Sequence, residues 1–224
     1  FGNDNIKEIY VGSDKIKEVY YGSEKVWGEV EPIQEGYWVH KDTGVITYFG
    51  LDDPSITGGI MSSPSWRSNC SEVQIPSGVT GLENDCFSYC RALTSITLPE
   101  GVTSLGEYCF NNCHSLASAI LPESVTSLGE GCFSYCRALT SINIPEGVTS
   151  LGNYGFYECT SLTSINIPEG VTSIGLWCFR DCASLILATV LPAIPPTLGG
   201  NVFDDVHPSF NIKVRSPYVN DYKT

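Results

Sequence analysis

Basic residues and long apolar runs are both scarce in this chain. Lysine and arginine number 12 against 25 aspartates and glutamates, giving a formal net charge of −13. Nucleic-acid binding needs clustered lysine and arginine to neutralise phosphates, and the sequence clusters none. No apolar run approaches the roughly 20 residues of a membrane helix. We therefore expect no nucleic-acid partner, no membrane insertion and, because the net charge is high, a monomer.

Signatures of catalysis and of secretion are missing as well. The three histidines, His40, His114 and His207, stand at no recognisable spacing from a nucleophile, and neither G-x-S-x-G nor a P-loop occurs. We expect no enzymatic activity and no cofactor. Residues 1–27 lack the basic start and apolar core of a signal peptide, so we expect a mature or trimmed chain.

A repeat of 23 residues dominates what is present. Phenylalanine, cysteine, leucine, valine and proline each recur at this step through five units. The phenylalanine column is Phe87, Phe110, Phe133, Phe156 and Phe179, and one cysteine column is Cys90, Cys113, Cys136, Cys159 and Cys182. A single unit of this size cannot bury its own apolar face, so the repeat predicts stacked coils that share a continuous core.

One unit shows how each coil is expected to fold. Residues 139–144 have the L-x-x-I-x-I form of a leucine-rich-repeat strand, and Pro145 ends that strand because proline lacks a backbone donor. Gly152 is expected to reverse the chain. The segment around Phe156 is then a short helical or irregular return. The predicted fold is a β-rich solenoid with strands about 4.8 Å apart.

Two departures interrupt the repeat. Ala119 replaces the isoleucine expected in the third strand, and Ile120 stands where other units have threonine or asparagine, which predicts a local shift of that strand. Phe203 follows Phe179 by 24 residues rather than 23.

The units resemble the BspA-like leucine-rich repeats of bacterial surface proteins. The shared pattern is L-T-S-I-x-I-P-E-G-V-T-S-I-G-x-x-x-F-x-x-C-x-S-L, and it covers residues 66–195. The resemblance implies a right-handed leucine-rich-repeat coil on a secreted or surface-anchored protein. It also implies adhesion to host or matrix proteins.

The flanking segments suggest three further units. Residues 1–28 hold ten-residue β repeats, each ended by Gly-Ser, that are similar to repeats of phage tail and prophage-encoded proteins. Residues 29–65 are expected to form a small β-hairpin module, with strands at 36–40 and 45–49, and a linker. Residues 196–224 are expected to form a C-terminal cap, in which 211–214 resembles the closing strand of the family.

The ten cysteines allow three interpretations. Four C-x-x-x-C pairs could hold metal, form disulfides or lie buried as reduced thiols. In the fourth unit Gly155 replaces the first cysteine while Cys159 remains, so the position requires only a small residue. We favour buried thiols that act as small apolar groups, and no metal site.

A carboxylate column follows each proline. It consists of Glu100, Glu123, Glu146 and Glu169. A stacked ladder of this kind could recruit Ca²⁺, but calcium sites gather six to eight oxygens in a dedicated loop and no such loop motif occurs. We favour a solvated acidic edge.

Two surfaces are candidates for binding a partner. The first is a polar strand face, whose outward positions are Ser95, Thr97, Ser118, Ser141, Asn143, Ser164, Asn166 and Thr189. The second is an aromatic column of Tyr108, Tyr154 and Trp177, with Tyr157 near it in sequence. Periodicity does not decide whether the polar face binds a partner or is only solvated. It also does not decide whether the aromatic column binds a partner or only packs in the core.

The functional hypothesis is a non-enzymatic, extracellular or cell-surface adhesion protein. It would recognise protein or glycan on host or neighbouring cells through the solenoid. The alternative is a structural or attachment component of a phage-tail or prophage-type assembly, with residues 1–28 as the attachment element.

Overall fold

The computed structural model describes the strands between residues 6 and 49, residues 71, 73 and 75, and residues 79–214. The described residues contain strands and turns and no helix. The strands that precede the solenoid are β1 (Ile6–Val11), β2 (Asp14–Lys15), β3 (Glu18–Tyr21), β4 (Glu24–Gly28), β5 (Gly36–His40) and β6 (Val45–Phe49). The solenoid strands are β7 (Gly81–Leu82), β8 (Ser95–Thr97), β9 (Ser104–Leu105), β10 (Ser118–Ile120), β11 (Ser127–Leu128), β12 (Ser150–Leu151), β13 (Ser164–Ile167), β14 (Ser173–Ile174), β15 (Leu187–Val190), β16 (Thr197–Leu198) and β17 (Asn211–Val214).

Residues one repeat apart lie side by side in parallel strands. In one sheet Leu82 pairs with Leu105, Leu105 with Leu128, and Leu128 with Leu151, and the pairing continues to β14 and β16. A 23-residue step is therefore one coil of a parallel β-solenoid, and the predicted fold class is confirmed.

On the other side of the coils the strands form two shorter sheets. One pairs β8 with β10, and the other runs β13–β15–β17. No strand forms at residues 139–144, where the sequence predicts one, although Ile142 and Ile144 are buried as the pattern requires.

The predicted shift of the third strand is wrong, because Ala119 pairs with Ile96 and Ile120 with Thr97 in the regular register. Ala119 is 7% exposed and Ile120 is 58% exposed. The alternation of the strand thus places a small residue in the core and an isoleucine in solvent.

A column of stacked phenylalanine rings forms the centre of the core. Neighbouring rings from Phe87 to Phe133 lie 5.3 Å apart between centroids, with interplanar angles of 11° and 8°. The same stack continues through Phe179 to Phe203, so the 24-residue step does not break it. The first five rings are fully buried, and burial of each stabilises the fold by roughly 1.5–3 kcal/mol.

The return segments contain no helix, which leaves the irregular alternative of the prediction. In the first of them, Asp85, Phe87 and Tyr89 donate their N–H groups to carbonyls of the next coil, at 2.7–2.8 Å. The residues between them donate instead to a carbonyl three positions back. Beyond its first turn, an α-helix would satisfy its donors within its own segment. Here alternate donors are aimed along the stack and join the coils to one another.

Gly106 and its equivalents allow adjacent coils to approach closely. A Cβ on Gly106 would lie 2.5 Å from the backbone nitrogen of Asn84, and one on Gly175 would lie 2.4 Å from that of Asn153. Neither glycine has a left-handed φ. The reversal of the chain at this column stays a prediction, and the structure adds that a side chain on Gly106 or Gly175 would collide with the preceding coil.

The N-terminal strands agree with the strand-and-turn repeats predicted before residue 28 and with the hairpin predicted at 36–49. Val11 pairs with Asp14 across the first Gly-Ser, and Val39 pairs with Ile46 across the four-residue loop. β6 pairs in parallel with β7, so β5, β1 and β2 extend the first sheet. At the other end β17 pairs with β15, as predicted for a closing strand. The predicted linker at 50–65 and the segment after Val214 lie outside the described residues.

Candidate binding surfaces

The polar strand face is exposed where the sequence predicts it. Ser95 lies beside Ser118 in β8 and β10, and Asn166 lies beside Thr189 in β13 and β15. The exposed side chains are Ser95, Thr97, Ser118, Ser141, Asn143, Ser164 and Asn166, and Thr189 is half-buried. The face is interrupted by Ile120 and ends in Leu187 and Lys213. It offers small hydrogen-bonding groups.

The second surface lies on the return segments. We define the return face as the side chains that leave residues 84–92 and the equivalent segments of the next four coils. Tyr108, Tyr154 and Trp177 all lie on it, half-buried, so they do not serve only to fill the core.

Each of these three aromatic residues has a left-handed backbone. The φ angles are 54° for Tyr108 and 56° for both Tyr154 and Trp177, and Gly131 occupies the same position in the third coil. Each of these residues donates its N–H to the next coil, as Tyr154 does to Leu176 at 2.9 Å. The left-handed conformation costs a residue with a Cβ roughly 1–2 kcal/mol relative to right-handed backbone. A bulky side chain at a position where glycine fits indicates that the side chain contributes something in return.

Four aromatic rings form one cluster on the return face. The ring of Tyr154 meets Trp177 edge-on at 5.5 Å and Tyr157 edge-on at 6.1 Å, and Tyr157 lies 6.1 Å from Trp177. Tyr135 joins the edge of Tyr157 at 5.2 Å. We call Tyr135, Tyr154, Tyr157 and Trp177 the aromatic cluster. Burial and neighbouring phenols and carboxylates raise the pKa of Tyr157 to about 12.

Tyr108 lies outside this cluster. Its hydroxyl donates a hydrogen bond of 2.7 Å to Oε1 of Glu130, and its ring covers Gly131. Burial, followed by the bond to Glu130, raises the pKa of Tyr108 to about 12. The predicted aromatic column is therefore divided in two, because Gly131 provides no ring to connect Tyr108 with Tyr154.

The return face also carries basic residues that sequence reasoning did not group. All three arginines between residues 71 and 214, Arg91, Arg137 and Arg180, lie there. Arg180 stacks on Trp177 at 4.4 Å and lies near Asp181 and Asp205, at 3.4 and 3.6 Å. The 23-residue step from Arg91 through His114 to Arg137 was the signal that could have revealed a column. It was overlooked because the residue type changes along it.

Arg91, His114 and Arg137 occupy one position in three successive coils, and we call them the basic stripe. Arg91 lies over Tyr89 and Arg137 over Tyr135, each at 5.6 Å from the ring centroid. Arg137 pairs with Glu158 at 2.6 Å, whereas no carboxylate of the described part of the chain lies within ion-pair distance of Arg91. Burial, followed by the charges of Arg137 and Arg91, lowers the pKa of His114.

The cysteines lie in the core, away from both surfaces. Cys136 donates from its thiol to the carbonyl of Phe110 at 3.2 Å, and Cys159 donates to that of Phe133 at 3.1 Å. Burial raises the pKa of these thiols, and it raises the pKa of Cys182 to about 12. These interactions are consistent with the small apolar role that we favoured over metal binding and disulfides.

Other features of the described residues offer no stronger site. The glutamates of the carboxylate column are exposed, and no group of three or more metal-ligating side chains occurs within residues 71–214 as far as they are described. A shallow groove of about 510 Å³ runs past Asn84, Gly106 and Gly129, with Glu83 and Glu107 in its wall. No helix in the described part is long and apolar enough to cross a membrane.

Comparisons with known proteins point to one family. Residues 65–186 match the BspA type Leucine rich repeat region in six copies, over more than half of the chain. A crystallised leucine rich cell surface protein from Faecalibacterium prausnitzii is 25% identical with a TM-score of 0.63, and the alignment covers 91% of this chain and 56% of that one. A leucine rich repeat protein from T. pallidum is 26% identical with a TM-score of 0.52, over 60% of this chain and 73% of that one. No functionally curated protein matches.

Proposed function

Because the chain belongs to the BspA-type leucine-rich repeat family, we propose that it is a non-enzymatic adhesion-type protein of the cell surface or extracellular space. The family supports a binding role and a surface location in general terms, and similarity to the F. prausnitzii cell surface protein supports the same location. We further propose that it acts as a monomer and that its partner is a protein or glycan of host or neighbouring cells.

The return face, rather than the strand face, is the proposed contact surface. One observation carries this choice: Tyr154 and Trp177 hold bulky rings on left-handed backbone, where the third coil has glycine. Tyrosine, tryptophan and arginine are the residues that dominate binding energy at protein interfaces. The strand face offers serine, threonine and asparagine, and serine and threonine are under-represented among such hot spots.

The aromatic cluster is suited to act as a rigid anchor. Its rings fix one another through edge-on contacts at 5.2–6.1 Å, and Arg180 of the same coil lies over Trp177 at 4.4 Å. Rings that are already ordered lose little conformational freedom on binding, so more of the contact energy appears as affinity. The expected ligand surface is flat and partly apolar, with polar groups at its rim.

A binding screen with matched variants tests this proposal. The chain would be applied to surfaces coated with fibronectin, fibrinogen, collagen or laminin, and to a glycan array. For any probe that binds, we expect Trp177→Ala and Tyr154→Ala to weaken binding at least tenfold. The paired strand-face changes Ser141→Ala and Asn143→Ala should alter it less than twofold.

Two results would contradict the proposal. If the folded chain binds none of the coated proteins and none of the glycans, the adhesion role is contradicted. Loss of binding in the strand-face variants, with the aromatic variants unaffected, would move the contact to the other surface. The attachment role suggested for residues 1–28 stays a prediction.

A further inference from the structure

We infer that the basic stripe on the return face, Arg91, His114 and Arg137, binds a linear acidic polysaccharide that lies along the axis of the stacked coils. The inference rests on the proposed binding function and adds a ligand class and a second contact to it. The recognised groups are the carboxylates or sulfates of successive sugar residues.

The location of positive charge is the first argument. The whole chain carries a net charge of −13, and residues 71–214 contain only three arginines and one lysine. Even so, Arg91 and Arg137 lie on the same column with His114 between them. Arg91 and Arg137 recur because residues 86–96 and 132–142 have the same sequence, and stacking of the coils then places both guanidinium groups on one column. An acidic ligand is the partner that complements two arginines on one column.

Arg91 is the residue most available to that ligand. It is exposed, and no carboxylate of the described residues forms an ion pair with it. A guanidinium matches carboxylate and sulfate groups in a bidentate geometry, which a lysine does not provide. Arg137, by contrast, already pairs with Glu158 and contributes mainly through the electrostatic field.

The orientation of His114 allows its ring to donate a second hydrogen bond when the ring is protonated. Nε2 of His114 lies 3.1 Å from Oδ1 of Asn112, and Nδ2 of Asn112 donates to Oδ1 of Asn111 at 3.0 Å. Because the amide of Asn112 is oriented by this bond, Nε2 is the nitrogen that carries the hydrogen in the neutral ring. Protonation then occurs at Nδ1 and gives a second N–H donor and a positive charge.

The spacing of the stripe favours a carbohydrate over other anions. Consecutive coils are about 5 Å apart, as the 5.3 Å separation of Phe87 and Phe110 indicates. The tyrosine–arginine pairs, Tyr89 with Arg91 and Tyr135 with Arg137, recur on alternate coils, at about 10 Å. That separation is about the length of a disaccharide. A pyranose ring presents a C–H face that packs on tyrosine while its acidic group reaches arginine.

Binding should therefore depend on pH and on salt. The charged groups that face His114 are Arg91, Arg137 and Glu158, and the two arginines oppose its protonation. A bound polyanion reverses that balance, so the ligand and the proton bind cooperatively. Affinity should rise as pH falls from 7.5 to 5.5, and it should fall with added salt because the contacts are exposed.

Titration calorimetry with defined oligosaccharides tests the inference. The probes are a heparin hexasaccharide and an oligogalacturonate hexamer, with neutral maltohexaose as the uncharged comparison. We expect both acidic probes to bind at least tenfold more tightly than maltohexaose. Arg91→Gln should weaken them five- to tenfold, and His114→Gln should remove the dependence on pH. Lys213→Gln, which removes one exposed positive charge from the strand face, should matter less than twofold.

Several results would contradict binding of an acidic polysaccharide or separate it from the proposed function. Equal binding of maltohexaose, or unchanged affinity in Arg91→Gln, overturns the inference. Equal binding of poly-L-glutamate at matched charge identifies an acidic polypeptide as the partner and overturns the carbohydrate assignment. If acidic sugars fail while Trp177→Ala still abolishes binding to a coated protein, this inference falls and the proposed function stands. The acidic sugars could be the only probes that bind, and Trp177→Ala and Tyr154→Ala could bind them as tightly as the unchanged chain does. That result would support the basic stripe and contradict the proposed aromatic anchor.

Discussion

The ring of Tyr108 lies directly over Gly131 in the next coil, where a Cβ would come within 2.3 Å of Cε1 of the tyrosine. Gly131 also has a left-handed φ of 58°. Gly131→Ala should therefore destabilise the fold by about 2–4 kcal/mol, as backbone strain and overpacking combine. Urea unfolding of the variant measures the loss.

A double-mutant cycle separates the two contributions. Tyr108→Ala removes the collision but not the strain, so Gly131→Ala should cost clearly less in that background. Gly101→Ala is the control, because φ at Gly101 is 99° and the nearest atom to a Cβ is 3.9 Å away. Equal costs in both backgrounds would show that the ring yields without penalty.

The coil repeat was predictable from the sequence because its determinants are local and periodic. Phe133 and Val148 each recur at the same step, and no other arrangement buries all their equivalents at once. The left-handed backbone at Tyr154 was not predictable, because residue preferences assign that conformation to glycine and asparagine. It accompanies hydrogen bonds between coils, such as that from Tyr154 to Leu176, which exist only after stacking.

The phenylalanine stack should respond according to the position of each ring. Phe133 lies between two rings, at 5.3 and 5.7 Å, and is fully buried, so Phe133→Ala should cost about 3–5 kcal/mol. Phe203 lies in the last coil and is only half-buried, so Phe203→Ala should cost less. Chemical denaturation of both variants measures the difference. Equal losses would show that the terminal ring is as well packed as the central one.

Buried thiols should make the fold sensitive to alkali. Burial raises the pKa of Cys132, Cys136 and Cys178, whereas thiols of the unfolded chain ionise near about 8.5. Above that pH the unfolded state releases protons that the folded state retains, so stability falls as pH rises. We expect a lower urea midpoint at pH 9.5 than at pH 7.5.

Thiol titration provides the matching chemical test. A thiol reagent should react slowly with the folded chain and should titrate all ten cysteines after unfolding without reductant. Cys132→Ala should reduce the fall in the free energy of unfolding at alkaline pH, because one buried thiol no longer contributes to it. Far fewer than ten reactive groups after unfolding would favour the disulfide alternative.

The candidate surfaces were only partly predictable. Trp177 and Tyr154 could be selected from sequence because tryptophan and tyrosine are conspicuous at one repeat position. Arg91 and His114 share a column too, but a change from arginine to histidine hides it until the coils place the two side chains side by side. Gly131 likewise gives no sign in sequence that it divides the aromatic column.

The electrostatic coupling of His114 can be measured without any ligand. Its pKa should lie below 6.5 in an NMR titration, because burial and the charges of Arg137 and Arg91 disfavour the protonated ring. Arg91→Gln should raise that pKa, while Arg180→Gln should leave it unchanged. Since the unfolded chain takes up this proton more readily, the contribution of His114 to stability is present above about pH 6.5 and is lost as pH falls. His114→Gln should flatten that acidic decline. A pKa that stays the same in Arg91→Gln would mean that the two side chains are too far apart to share one anionic group.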